Sequence, residues 1–145
     1  MRRNAILLLL VVASTTLALA QKDDSLPTNQ ELVARARSVY VHSNTFYMKR
    51  EHLQSSLLGR AEFKAWGLQI TQRKDLADLW IEVRRVPFTN HFNYTVTDRS
   101  TETIVMAGKV DSLAGTVYGL IADEIIHKMK VFRGSPIPGQ PTPKS

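Results

Sequence analysis

The sequence contains no cysteine. That excludes disulfides, thiolate nucleophiles and cysteine-ligated metals, so stability has to come from packing. Four histidines are present, His42, His52, His91 and His127, and none stands in H-E-x-x-H or any other close metal spacing, so no metal site is expected. There is no G-x-S-x-G elbow, so serine, histidine and aspartate carry no nucleophile signature, and no motif points to a cofactor. Charge of one sign is nowhere massed: Lys49-Arg50 and Arg84-Arg85 are pairs rather than a stripe, which leaves no footprint for nucleic acid. Internal repeats are also missing.

What is present begins with the N-terminus. Met1-Arg2-Arg3-Asn4 is basic, Ala5 to Val12 is wholly apolar, and Ala18-Leu19-Ala20 supplies an A-x-A exit before Gln21, the pattern of a cleavable secretory signal peptide over residues 1–20. The apolar stretch is shorter than the roughly 20 residues a spanning helix needs, and no cysteine is available at the exit for lipid attachment. The expected product is exported, periplasmic or secreted, with no transmembrane anchor. Loss of Arg2 and Arg3 leaves 17 basic residues against 13 acidic ones, a mild excess that solubility explains.

Two segments read as unfolded. Gln21 to Asn29 is polar with Pro27, a flexible linker, and Gly134 to Ser145 carries Pro136, Pro138, Pro141 and Pro143, a proline-rich tail. The globular domain is therefore expected over residues 30–133.

Within it, Ser38-Val39-Tyr40-Val41-His42 alternates as a half-buried strand. Leu53, Leu57, Leu58 and Ala61 form the stripe of an amphipathic helix, with Gly59 placed to stop it early and Gly67 to terminate a second turn. Leu68 to Thr71, Leu79 to Val86, Asn93 to Thr97 and Thr103 to Val110 read as further strands, the last two joined by the turn Asp98-Arg99-Ser100-Thr101. Val117, Leu120, Ile121, Ile125, Met129 and Phe132 mark a C-terminal amphipathic helix, with Asp123 four residues ahead of His127 as a local pair. The expected fold is one α+β domain: a twisted mixed sheet of about five strands with two helices on one face, in the order β-α-β-β-β-α.

The helix closed by Gly67 and followed by Leu68-x-Ile70, the run Asp75-x-Ala77-Asp78-Leu79-x-Ile81-x-Val83, the hairpin, and the helix Leu120-Ile121-Ala122-Asp123-Glu124-Ile125-Ile126 together resemble small bacterial envelope domains. Similar runs occur in lipoprotein activators of cell-wall synthases, in the curli-secretion lipoprotein and, over Ala34 to Lys130, in uncharacterised secreted bacterial proteins. The resemblance implies a protein-binding or assembly module without catalysis. The lipoprotein members carry a lipobox cysteine that this chain lacks, so a lipid tether is not part of the likeness.

If Val39, Val41, Leu68, Ile70, Leu79, Ile81 and Val83 face the helices, alternation puts Tyr40, His42, Gln69, Thr71, Trp80, Glu82 and Arg84 on the other face. Thr95, Thr97, Val105 and Lys109 are expected to join them. Such a face is commonly solvated, yet aromatic rings beside an arginine are also the composition of binding surfaces. The connection Pro87 to Phe92 adds Phe88, His91 and Phe92, where function concentrates, although Phe88 and Phe92 fit the core equally well. The candidate partner-binding set is thus Tyr40, His42, Trp80, Glu82, Arg84, Phe88, His91 and Phe92, for a protein or an envelope polymer. The rival reading is a small hydrolase with His42 or His91 as general base, assisted by Asp98 or Glu82. Asp75 and Asp78 read as capping or turn residues.

Overall fold

Thr28 opens the first element. Its hydroxyl accepts from the Glu31 N–H (3.3 Å) while the Glu31 carboxylate accepts from the Thr28 N–H (2.7 Å), a reciprocal capping box that satisfies two otherwise unpaired donors. The helix it starts, α1 (Asn29–Arg35), buries Leu32 and Val33. A computed structural model describes residues 26–112 and 116–134; the leader Met1 to Ala20 and the tail beyond Gly134 lie outside the described residues. Reading Gln21 to Asn29 as linker misses α1, whose signature Thr28-x-x-Glu31 precedes Leu32-Val33 in the sequence.

The chain continues through β1 (Ser38–Ser43), α2 (Arg50–Gly59), α3 (Ala61–Ala65), β2 (Gln69–Thr71), a 3-10 turn at Lys74–Leu76, β3 (Leu79–Arg85), β4 (His91–Asp98), β5 (Ile104–Asp111) and α4 (Val117–Gly134). The α+β class holds; α1 precedes the first strand, which the order β-α-β-β-β-α leaves out, while the helix divides at Gly59 into α2 and α3 and the four strand segments read after it all form, one more than that order counts. Gly67 takes φ +65° and donates to Lys64 while the Leu68 N–H reaches the Phe63 carbonyl, the paired bonds of a Schellman ending.

The five strands form one sheet in the order β2-β1-β3-β4-β5. β1 lies parallel to both β2 and β3, and β3, β4 and β5 run antiparallel. Asp78 fixes the start of the parallel pair: its carboxylate accepts from the Arg37 N–H (2.8 Å) and the Ser38 N–H (2.9 Å), and the Ser38 hydroxyl accepts from the Asp78 N–H (3.0 Å). Burial by itself raises the Asp78 carboxyl; these hydrogen bonds outweigh it and hold the group below its ordinary value.

Val39, Val41, Leu79, Ile81, Val83, Phe92, Tyr94 and Val96 point to the helical side and are buried with Leu32, Leu53, Leu57, Phe63, Ile121, Ile125 and Met129. The helix phases need correction. In α4 the buried set is Val117, Ile121, Ala122, Ile125, Ile126 and Met129, and Leu120 is exposed; in α2 Leu58 is exposed, and Gln54 is buried beside Leu53 and Leu57. Asp123 pairs with Arg60 (2.9 Å) rather than with His127, because α4 lies against α2 and α3. Arg133, near the end of α4, donates to the carbonyls of Val33 (2.9 Å) and Ala36 (2.8 Å), closing the C-terminus of α1 from the other end of the chain.

Candidate functional site

The parallel register sets Tyr40 beside Trp80 and His42 beside Glu82; the antiparallel one continues these rows to Thr97 and Thr95. With the helices all on the opposite side, these residues form the open face of the sheet. The Tyr40 and His42 rings stack nearly parallel, 6.5 Å apart with a 9° interplanar angle. Trp80 is held in place by the 3-10 turn: its indole N–H donates to the Lys74 carbonyl (2.9 Å), and the Lys74 ammonium lies 4.1 Å from the indole centroid, a cation–π contact. Glu82 and Arg84, two residues apart on one face of β3, pair at 3.0 Å.

Between these side chains run two shallow grooves. One, of about 230 Å³, is lined by Tyr40, His42, Lys74, Trp80, Glu82 and Thr97. The other, of about 320 Å³, is lined by Glu82, Arg84, Asn93, Thr95, Thr97 and Ile104. They share Glu82 and Thr97, so the two grooves adjoin, and together they make up a shallow trough on the open face from β1 to β5. Aromatic rings with Lys74 form its β1–β3 end, and charged and small polar groups with Ile104 form the rest.

Five of the eight candidate residues, Tyr40, His42, Trp80, Glu82 and Arg84, are therefore brought together on the open face. The other three separate. Phe92 is buried and belongs to the core, because it lies on the inward phase of β4 with Tyr94 and Val96. Phe88 is fully exposed on the β3–β4 turn. His91 begins β4 and lies 2.5 Å from the Asp111 carboxylate on β5, outside both grooves. Val105 is corrected as well: the register shifts between Val96 and Thr97, which pair with Met106 and Ile104. The extra residue, Val105, turns inward and is buried, and Ile104 takes the place on the face. Lys74 and Ile104 were not legible as site residues, since one belongs to a polar turn and the other owes its position to the bulge.

Of the assisting carboxylates of the hydrolase reading, Asp98 is engaged away from both histidines, whereas Glu82 lies beside His42 and is paired with Arg84. Asp98 is buried and accepts from the Ser100 hydroxyl (2.6 Å) and from Thr101 (3.0 Å), with Arg35 3.5 Å away. Burial raises its carboxyl and the hydrogen bonds more than reverse that, leaving it below the ordinary value. Among the described residues no group of three histidine, cysteine or acidic side chains is arranged to hold a metal, and no helix is long and apolar enough to cross a membrane.

No family model matches the chain, and no curated protein matches it. Among solved structures it is similar to a PelC dodecamer, a point variant, from Paraburkholderia phytofirmans, at 15% identity over 70% of this chain and 88% of that one, with a TM-score of 0.33. A TM-score that low does not establish a shared fold. No property of PelC transfers on this match.

Proposed function

We propose that this chain is a non-enzymatic exported interaction module of the bacterial envelope or secretome, binding a protein or an envelope polymer along the open sheet face. The observation that carries the reading is the trough itself, a row of Tyr40, His42 and Trp80 leading into Glu82, Arg84 and Thr95. Pockets that hold a compact small molecule enclose it and bury most of its surface. A shallow open trough instead suits an extended strand, peptide or polysaccharide, that lies across the face. Aromatic and arginine anchors are what such interfaces depend on. The leader-like N-terminus and the likeness of its core motifs to envelope assembly domains support the same reading.

The test is capture by the immobilised exported protein from envelope extract, separated into polysaccharide and protein fractions. Trp80→Ala and Arg84→Ala should each weaken capture by about 2 kcal/mol or more, the ordinary size of an anchor residue, with melts run alongside. Variants that fold and still capture everything the wild type does would leave the face merely solvated.

A further inference from the structure

A second surface, separate from the trough, lies at the end of the sheet where β1 and β3 finish. Two loops there hold three aromatic rings in water: Phe46 (96% exposed) and Tyr47 (71%) after β1, and Phe88, fully exposed, after β3. Arg85 ties the loops together, its guanidinium 3.9 Å from the Tyr47 ring centroid and its Nε donating to the Thr89 carbonyl (2.8 Å). The Phe46 and Tyr47 rings meet edge to face at 6.3 Å.

Both loops are built to keep the rings out. Met48 is wholly buried beneath the first loop, and the Ser43 hydroxyl donates to its carbonyl (2.5 Å). In the second, Phe88 has φ 60°, the left-handed region that bulky residues avoid. The turn around it is fixed by the Thr89 N–H (3.3 Å) and the Thr89 hydroxyl (2.9 Å), both donating to the Val86 carbonyl. A large apolar side chain is thus held in a costly backbone conformation that presents it to solvent.

Charge says what such a tip suits. Arg50 and Arg84 nearby are paired with Glu51 and Glu82 (3.0 Å each). Lys49, next to Met48, and Arg85, against the Tyr47 ring, lie beside the rings with no carboxylate in residues 43–50 or 83–93, so two cations flank the aromatic tip. The three rings stand out into solvent from two loops, and the fluid interface of a bilayer adapts to a protruding ring. Aromatic side chains favour that interface, and basic residues beside them add attraction to anionic headgroups. The tip follows Ser43 at one end of β1, whereas the C-terminus of α1 meets α4 near Ala36, before the other end of β1.

We propose that Phe46, Tyr47 and Phe88 form a peripheral membrane-docking tip that inserts into the interfacial layer of a bilayer carrying anionic lipid. The test is co-sedimentation of the exported chain with vesicles of phosphatidylcholine containing phosphatidylglycerol, and with phosphatidylcholine alone. The double variant Phe46→Ser/Phe88→Ser should lose about tenfold or more in partitioning, since binding scales with the apolar area inserted. Its melting temperature should not move, because neither ring packs against the core. Lys49→Glu and added salt should each weaken binding to the anionic vesicles. Phe88→Trp should retain binding and add emission that brominated acyl chains quench. All variants carry the same N-terminus, so any affinity of the leader cancels. Equal partitioning of the double variant and the wild type would overturn the proposal. So would an unquenched tryptophan at position 88, or a double variant that loses only self-association or capture of a protein.

Discussion

Gly108 on β5 lies directly opposite Tyr94 on β4, and the missing side chain at 108 gives the buried phenol its space. A Cβ there would come within 2.5 Å of Tyr94 Cε1, Tyr94 Oη and Glu124 Oε1. The hydroxyl donates to Glu124 Oε1 (3.0 Å), and Lys128 pairs with the same oxygen (3.0 Å). Burial, and then the neighbouring carboxylate, hold the phenol well above its ordinary pKa. Gly108→Ala is expected to destabilise by about 1–3 kcal/mol through overpacking against a ring that cannot retreat. Gly59, where an added methyl would meet nothing within 4 Å, is the contrast: Gly59→Ala should stabilise by about 0.5–1 kcal/mol. Urea midpoints of the two variants check the difference in sign.

Acid should unfold the protein through Asp78 and Asp98. Both carboxyls are held below their ordinary value in the fold by hydrogen bonds that outweigh burial. Their contribution is therefore fully present above the unfolded value, about pH 4, and is lost as pH falls through the lower folded values. Asp98→Asn should be less stable near neutrality, and its urea midpoint should fall less than that of the wild type from about pH 5 to about pH 2. Parallel slopes would show that Asp98 is not part of the acid response.

The face of α4 that meets the core is wider than a narrow stripe. Ile125 and Ile126 are both buried, so each truncation to alanine should cost about 2–5 kcal/mol through lost burial and a residual cavity. Leu120, 45% exposed, should cost less than about 1 kcal/mol when replaced by alanine. Thermal melts of the three variants decide the phase of the helix.

Export is tested at the N-terminus. The basic start, apolar run and Ala18-Leu19-Ala20 exit predict that N-terminal sequencing of the exported protein begins at Gln21. A mature chain starting at Met1 would remove the signal-peptide reading.

The inward and outward sides of the central strands are legible in the amino-acid order, because the two-residue pleat is a local rule. Val39, Val41, Leu79, Ile81 and Val83 have to share a side, and that places Tyr40, His42, Trp80, Glu82 and Arg84 together on the other. Gly67 is equally readable as a helix end. The capping box at Thr28 and Glu31 is a local signal too, hidden by a polar stretch containing Pro27. Where the rule of two fails, at Val105, a bulge inserts one residue into β5, and only pairing with β4 reveals it.

By itself, then, the sequence determined the phases of β1 and β3, the helix ends marked by Gly59 and Gly67, and a core that cysteine cannot cross-link, since each depends on composition or on neighbours a few residues apart. Tertiary structure alone decided that β1 lies between β2 and β3, that Arg133 closes α1, that Asp123 turns to Arg60, and that Phe92 enters the core while Phe88 stays in water. Those outcomes rest on contacts between segments far apart in the chain, where burial and hydrogen bonding choose among arrangements that local periodicity leaves equal.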